Sequence, residues 1–214
     1  MAETLVKICG LSSQEALDAA LGAGADRIGL VFFPKSPRHV GLERARALAE
    51  RARGRAGVVA LTVDAGNAAL DAIMAAVAPD MVQLHGRETP GRVTEIAART
   101  GRRIIKALGV SARQDLGAVP AYAAVAHEIL FDAKPAAGAA LPGGNGLAFD
   151  WHVLAGLDLA VPFMLSGGLD PDNVGRALTV TGAPAVDVSS GVETAPGVKS
   201  PEKIRAFIRA VRAG

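Results

Sequence analysis

The sequence predicts one (β/α)8 barrel domain, of the TIM-barrel class, spanning residues 1–214. Three observations predict it. Eight short β-rich runs recur along the chain, segments of helical composition separate them, and polar or glycine-rich residues gather where the runs end. Alternating strands and helices imply right-handed βαβ units and a parallel sheet. Eight such units in 214 residues match the compact size of a closed barrel. A doubly wound open sheet is the alternative; the strand count and the lack of a GxGxxG after the first run weigh against it.

The first run, Thr4–Cys9, closes on Gly10 and feeds a helix over Ser13–Leu21, its start marked by Ser12, Ser13 and Glu15. Arg27–Phe33 leads to a helix over Leu42–Arg53, whose basic end suits the helix dipole. Val58–Val63 precedes Ala68–Val77, and Met81–His85 precedes Arg92–Arg99. Arg103–Leu108 and Glu128–Asp132 are the fifth and sixth runs; Ala136–Asn145 is then an irregular loop, and Trp151 is expected to pack a sixth helix. Pro162–Ser166 leads to a helix start at Asp170-Pro171, and Ala185–Ser189 to Pro201–Val211, started by Ser200-Pro201-Glu202. Ile204, Phe207, Ile208 and Val211 give that last helix its apolar face.

Composition narrows the function. Half the residues are hydrophobic, and the formal charge is only +2, with no basic run interleaved with aromatics, so nucleic acid is not an expected partner. A single cysteine excludes an intrachain disulfide framework. No apolar stretch has the length of a membrane span, and Lys7 interrupts the first run, so neither a membrane partner nor a signal peptide is expected. A soluble, cytoplasmic protein is the expectation. The histidines His39, His127 and His152 lack metal-ligand spacing, so no metal site is expected.

Residues two apart on a strand share a face. Counting back from each polar strand end places Lys7 with Cys9, Thr62 with Asp64, Gln83 with His85, Lys106, Asp132, Ser166, and Asp187 with Ser189 on the barrel's inner face. Together they form a polar pocket at the C-terminal mouth, where barrel enzymes hold their active sites. Ser166-Gly167-Gly168 and Ser189-Ser190-Gly191 end strands seven and eight, a common phosphate site in barrels. Gly143-Gly144-Asn145-Gly146 could close over the same ligand. Taken alone, Cys9 could be a small apolar filler.

The segments Lys7-Ile-Cys-Gly-Leu11, Phe32-Phe-Pro-Lys-Ser-Pro-Arg38, Gln83-Leu-His-Gly86, Leu130-Phe-Asp132, Gly143-Gly-Asn-Gly146, Leu165-Ser-Gly-Gly-Leu169 and Val186-Asp-Val-Ser-Ser-Gly-Val-Glu193 resemble, in order, the phosphoribosylanthranilate isomerase family. Asn145 departs from the family's more usual Thr. The resemblance implies a cofactor-free Amadori rearrangement in tryptophan biosynthesis, acting on a small phosphosugar. It makes Cys9 the general base and Asp132 the general acid. Lys7 is either a helper that favours the thiolate or an ion-pair partner of a carboxylate such as Asp187. Arg38 either clamps the anthranilate carboxylate or is a solvated loop charge. His85 either lines the sugar pocket or is structural. Gln83, Gly144, Asn145 and Asp187 complete the candidate substrate contacts. Asp132 must be protonated to act, so burial or a neighbouring anion should raise its pKa. The alternatives are the histidine-pathway Amadori isomerase, which uses an Asp in place of Cys9, and a non-catalytic phosphosugar-binding barrel. Monomer and homodimer both stay open.

Overall fold

The structure is a computed structural model describing residues 3–134, 143, 144, 146 and 148–213. Eight parallel strands close in chain order: β1 (Leu5–Cys9), β2 (Arg27–Phe32), β3 (Gly57–Thr62), β4 (Met81–Leu84), β5 (Arg103–Val110), β6 (Glu128–Ala133), β7 (Phe163–Leu165) and β8 (Ala185–Val188). Every expected run is a strand, its ends moved by a residue or two. The returns carry α1 (Gln14–Ala23), α2 (Leu42–Ala52), α3 (Asn67–Val77), α4 (Pro90–Thr100), a short α5 (Val119–Ala123), α6 (Val174–Thr181) and α7 (Pro201–Arg212). Ser13 and Ser200 cap α1 and α7, each Oγ accepting from an amide three residues on at 3.2 Å.

Three local expectations need correction. Helix α6 starts at Val174 rather than at Asp170-Pro171, because the Asp170 carboxylate accepts from the Asp172 and Asn173 amides and folds a separate turn first. The sixth return has no α-helix among the described residues; Trp151–Leu154 forms one 3-10 turn. Trp151 is buried there, with the Arg176 guanidinium of α6 5.8 Å from its ring. A small antiparallel hairpin, β9 (Glu193–Ala195) with β10 (Val198–Lys199), follows β8 and was not expected.

Strand register decides which face each side chain takes, since in-register partners share one. Cys9 opposes Gly29, Lys7 opposes Asp187, and Gln83 opposes both Leu61 and Ile105. Val59, Ile105, Leu130, Met164 and Ala185 pack inside the barrel. Ile8, Ile28, Val82, Ile104, Phe131 and Val186 pack outward among helix residues. Lys7, Cys9, Gln83, His85, Asp132, Ser166, Asp187 and Ser189 therefore face inward, as expected. Thr62 and Lys106 do not. The inward positions of β3 and β5 are apolar, and their polar residues face the helices. Asp64 lies past the end of β3 at φ +48°. Its carboxylate holds the Arg87 amide at 2.7 Å, away from the cavity. No helix among the described residues is long and apolar enough to cross a membrane.

Candidate active site

The C-terminal strand ends surround a cavity enclosing about 800 Å³ of empty space, counting the part open to solvent. Cys9, Arg38, His85, Asp132, Gly144, Ser166, Gly167, Gly168, Asp187, Ser189 and Ser190 line it. Lys7 and Gln83 are fully buried and do not line it. Gly191 is not among the lining residues: its Cα abuts the Leu169 carbonyl, so its lack of a side chain serves packing between the seventh and eighth loops. Asn145 lies outside the described residues.

On one wall, Cys9 ends β1 beside Gly29 of β2, which leaves room for the sulfur: a Cβ on Gly29 would stand 2.9 Å from it and 3.2 Å from the Lys7 Nζ. Lys7 Nζ donates to Asp187 Oδ1 at 2.8 Å, with both side chains buried. Lys7 therefore pairs with a buried carboxylate, the ion-pair reading, and its Nζ stands beside the Cys9 thiol. Burial pushes the Cys9 thiol up and Asp187 adds to this; Lys7 and Lys199 pull the other way without prevailing. Burial alone would lower the Lys7 ammonium, but Asp187 and Cys9 outweigh it and hold Lys7 above the ordinary lysine value. The site thus holds a neutral thiol beside a buried ion pair.

Across the cavity Asp132 is the last residue but one of β6. Its Oδ1 accepts from the Ala133 amide at 2.9 Å, and its Oδ2 lies 3.2 Å from His85 Nε2. The Gln83 amide nitrogen faces His85 Nδ1 at 3.0 Å, so Nδ1 accepts and Nε2 presents the proton to Asp132. Gly143 fits closely over this pair, since a Cβ there would come within 2.5 Å of both Asp132 Oδ2 and His85 Nε2.

Arg38 is not a solvated loop charge. It is 6% exposed and grips Glu193 with two hydrogen bonds of 2.8 Å, from Nε and Nη2. Lys199 Nζ joins the same carboxylate at 2.7 Å. Glu193 is held below the usual carboxylate range, burial being outweighed by Arg38 and Lys199. Lys199 was missed from the sequence, and Glu193 entered only as the end of a motif. The usable signal was Arg38 itself, because a buried guanidinium requires a carboxylate.

Known proteins resemble this chain in both sequence and fold. A sequence model of the N-(5'-phosphoribosyl)anthranilate (PRA) isomerase family matches residues 6–210. The N-(5'-phosphoribosyl)anthranilate isomerase of Azorhizobium caulinodans is 64% identical over 97% of this chain and 91% of its own. The phosphoribosyl anthranilate isomerase of Thermotoga maritima superposes with TM-score 0.88 and 34% identity, covering 99% of this chain and all of its own. Another solved isomerase, in complex with reduced 1-(o-carboxyphenylamino)-1-deoxyribulose 5-phosphate, superposes with TM-score 0.84 and 32% identity over 99% of this chain and all of its own. The chain belongs to the N-(5'-phosphoribosyl)anthranilate isomerase family.

Proposed function

We propose that the chain performs its family's reaction, the Amadori rearrangement of N-(5-phosphoribosyl)anthranilate in tryptophan biosynthesis, with Asp132 as general acid and Cys9 as general base. The observation that carries this is the placement of one protonatable carboxyl and one thiol on separate inward-facing strands of a single cavity. Asp132 gives a proton to the furanose ring oxygen. The bond from that oxygen to C1′ breaks as the nitrogen lone pair forms a cationic C=N bond. Cys9 then removes the C2′ proton, its electrons flow toward nitrogen, and the resulting enolamine tautomerises to the ketose, 1-(2-carboxyphenylamino)-1-deoxyribulose 5-phosphate.

The order of steps suits the electrostatics. A neutral buried thiol is a poor base, but the iminium formed by ring opening brings a positive charge into the cavity and favours the thiolate. The acid step therefore prepares the base. His85 orients the Asp132 carboxyl, and Gln83 fixes the His85 tautomer. Ser166, Gly167, Gly168, Ser189 and Ser190 fit the phosphate, and Arg38 the anthranilate carboxylate. Gly144 adjoins Arg38, its carbonyl accepting from Nη2 at 3.2 Å. A lone, unpaired cysteine fits a reducing cytoplasm.

Purified protein should consume phosphoribosylanthranilate with loss of its anthranilate fluorescence. Asp132→Asn and Cys9→Ser should each lower kcat by on the order of 10² or more. Near-normal turnover in either variant would remove that residue from the mechanism.

A further inference from the structure

Arg38 and Glu193 are 155 residues apart, yet their side chains form a side-on, two-point pair walled off from solvent. Nε and Nη2 are both committed to the carboxylate at 2.8 Å. The guanidinium plane is therefore fixed, and Nη1 is the nitrogen left facing Gly144 in the cavity wall. Glu193 comes from the small hairpin after β8, an element the barrel itself does not require. Lys199, on the second strand of that hairpin, donates to Glu193 Oε1 at 2.7 Å, to the Ser189 carbonyl at 2.9 Å and to Ser189 Oγ at 3.1 Å. Its side chain is 1% exposed.

Two cations thus share one carboxylate, and the buried cluster is one negative charge short. Charges out of water demand partners, and the open side of this cluster faces the cavity. A carboxylate arriving at Nη1 would balance it.

We propose that Glu193 and Lys199 are positioning residues that aim Arg38 at the aryl carboxylate of the substrate and, through Ser189, tie that aim to the turn that receives the phosphate. The inference rests on the reading of Arg38 as the carboxylate clamp. It adds that the fixed aim of the guanidinium, and not the presence of Arg38 alone, sets the preference for a carboxylated aromatic amine.

The test compares kcat/KM for the natural substrate and for its des-carboxy counterpart, N-(5-phosphoribosyl)aniline, in wild type, Arg38→Ala, Glu193→Gln, Glu193→Asp and Lys199→Met, with melting curves for each. Glu193→Gln should cut the preference for the carboxylated substrate by at least about tenfold, mostly through KM, with kcat changed by less than about threefold. Glu193→Asp keeps the charge but shortens the reach, and should lose part of the preference. Lys199→Met should lose preference and also weaken binding of inorganic phosphate, which the Glu193 variants leave alone. If Glu193→Gln and Lys199→Met slow both substrates equally, the cluster only holds the fold and the proposal fails. If Arg38→Ala keeps the wild-type preference, the reading of Arg38 fails first, and the proposal with it.

Discussion

Two buried lysine–carboxylate pairs in this barrel have nearly the same geometry and different roles. Lys7 meets Asp187 at 2.8 Å inside the barrel, and Lys106 meets Glu88 at 2.8 Å on its helix side. The difference is in the remaining donors. Lys106 Nζ also donates to the Leu84 and Gly86 carbonyls at 3.2 and 2.8 Å, which fills its three hydrogens. Glu88 in turn accepts from the Asp64 and Gly86 amides. That pair pins the loop that follows His85 and has nothing left for a substrate. Lys7 Nζ has Asp187 as its one hydrogen-bond partner among the described residues and stands beside the Cys9 sulfur, and Asp187 lines the cavity. Which face of the strand a lysine takes therefore decides whether its ion pair borders the cavity or the helices.

The largest expected effect comes from breaking the inner pair. Lys7→Met removes the cation beside the thiol and strands Asp187, so kcat should fall by on the order of 10². Lys106→Met should cost as much stability, about 3–5 kcal/mol for a buried charge left unpaired, seen as a lower midpoint in urea unfolding. Its kcat per folded molecule should change by less than about tenfold, because the loss passes only through the His85 loop. Equal kcat losses in the two variants would erase the distinction drawn here.

The smallest effect tests the outer face without a charge. Thr62 Oγ1 is buried against the helices and has no hydrogen-bond partner among the described residues. Thr62→Val should leave activity unchanged and leave stability equal or raise it by up to about 1 kcal/mol, since it removes an unsatisfied hydroxyl at constant shape. A clear activity loss would put Thr62 back on the inner face, where strand-end counting alone would place it.

That miscount shows what the sequence could convey. Barrel strands are apolar on both faces, so the eight runs stood out as β-rich segments bounded by Gly and polar residues. Facing was harder to read. Counting from a polar end works on β1, β4, β6, β7 and β8, where the polar residue belongs to the cavity. It fails on β3 and β5, where the polar residue has a partner, or no partner, behind the sheet. Cys9 and Asp132 were legible because each is a polar residue within one position of a strand's end at the mouth. Glu193 and Lys199 were not, because an irregular hairpin carries them and no periodicity links Lys199 or Glu193 to Arg38. The sixth return, which has no α-helix among the described residues, follows the same logic: Trp151 buries its ring from a single 3-10 turn, which has no period to detect.

The most direct measurement uses the fact that Cys9 is the sole cysteine. Protein carrying 13C at the cysteine Cβ gives one NMR signal, which moves when the thiol ionises. In substrate-free wild type the midpoint should lie above the ordinary thiol value of about 8.5, because burial raises it. Lys7→Met should push it higher still, since the opposing cation is gone. Lys106→Met should leave it where it was. A midpoint that ignores Lys7→Met, or follows Lys106→Met equally, would contradict the claim that the inner pair, and not the pair behind the sheet, acts on the base.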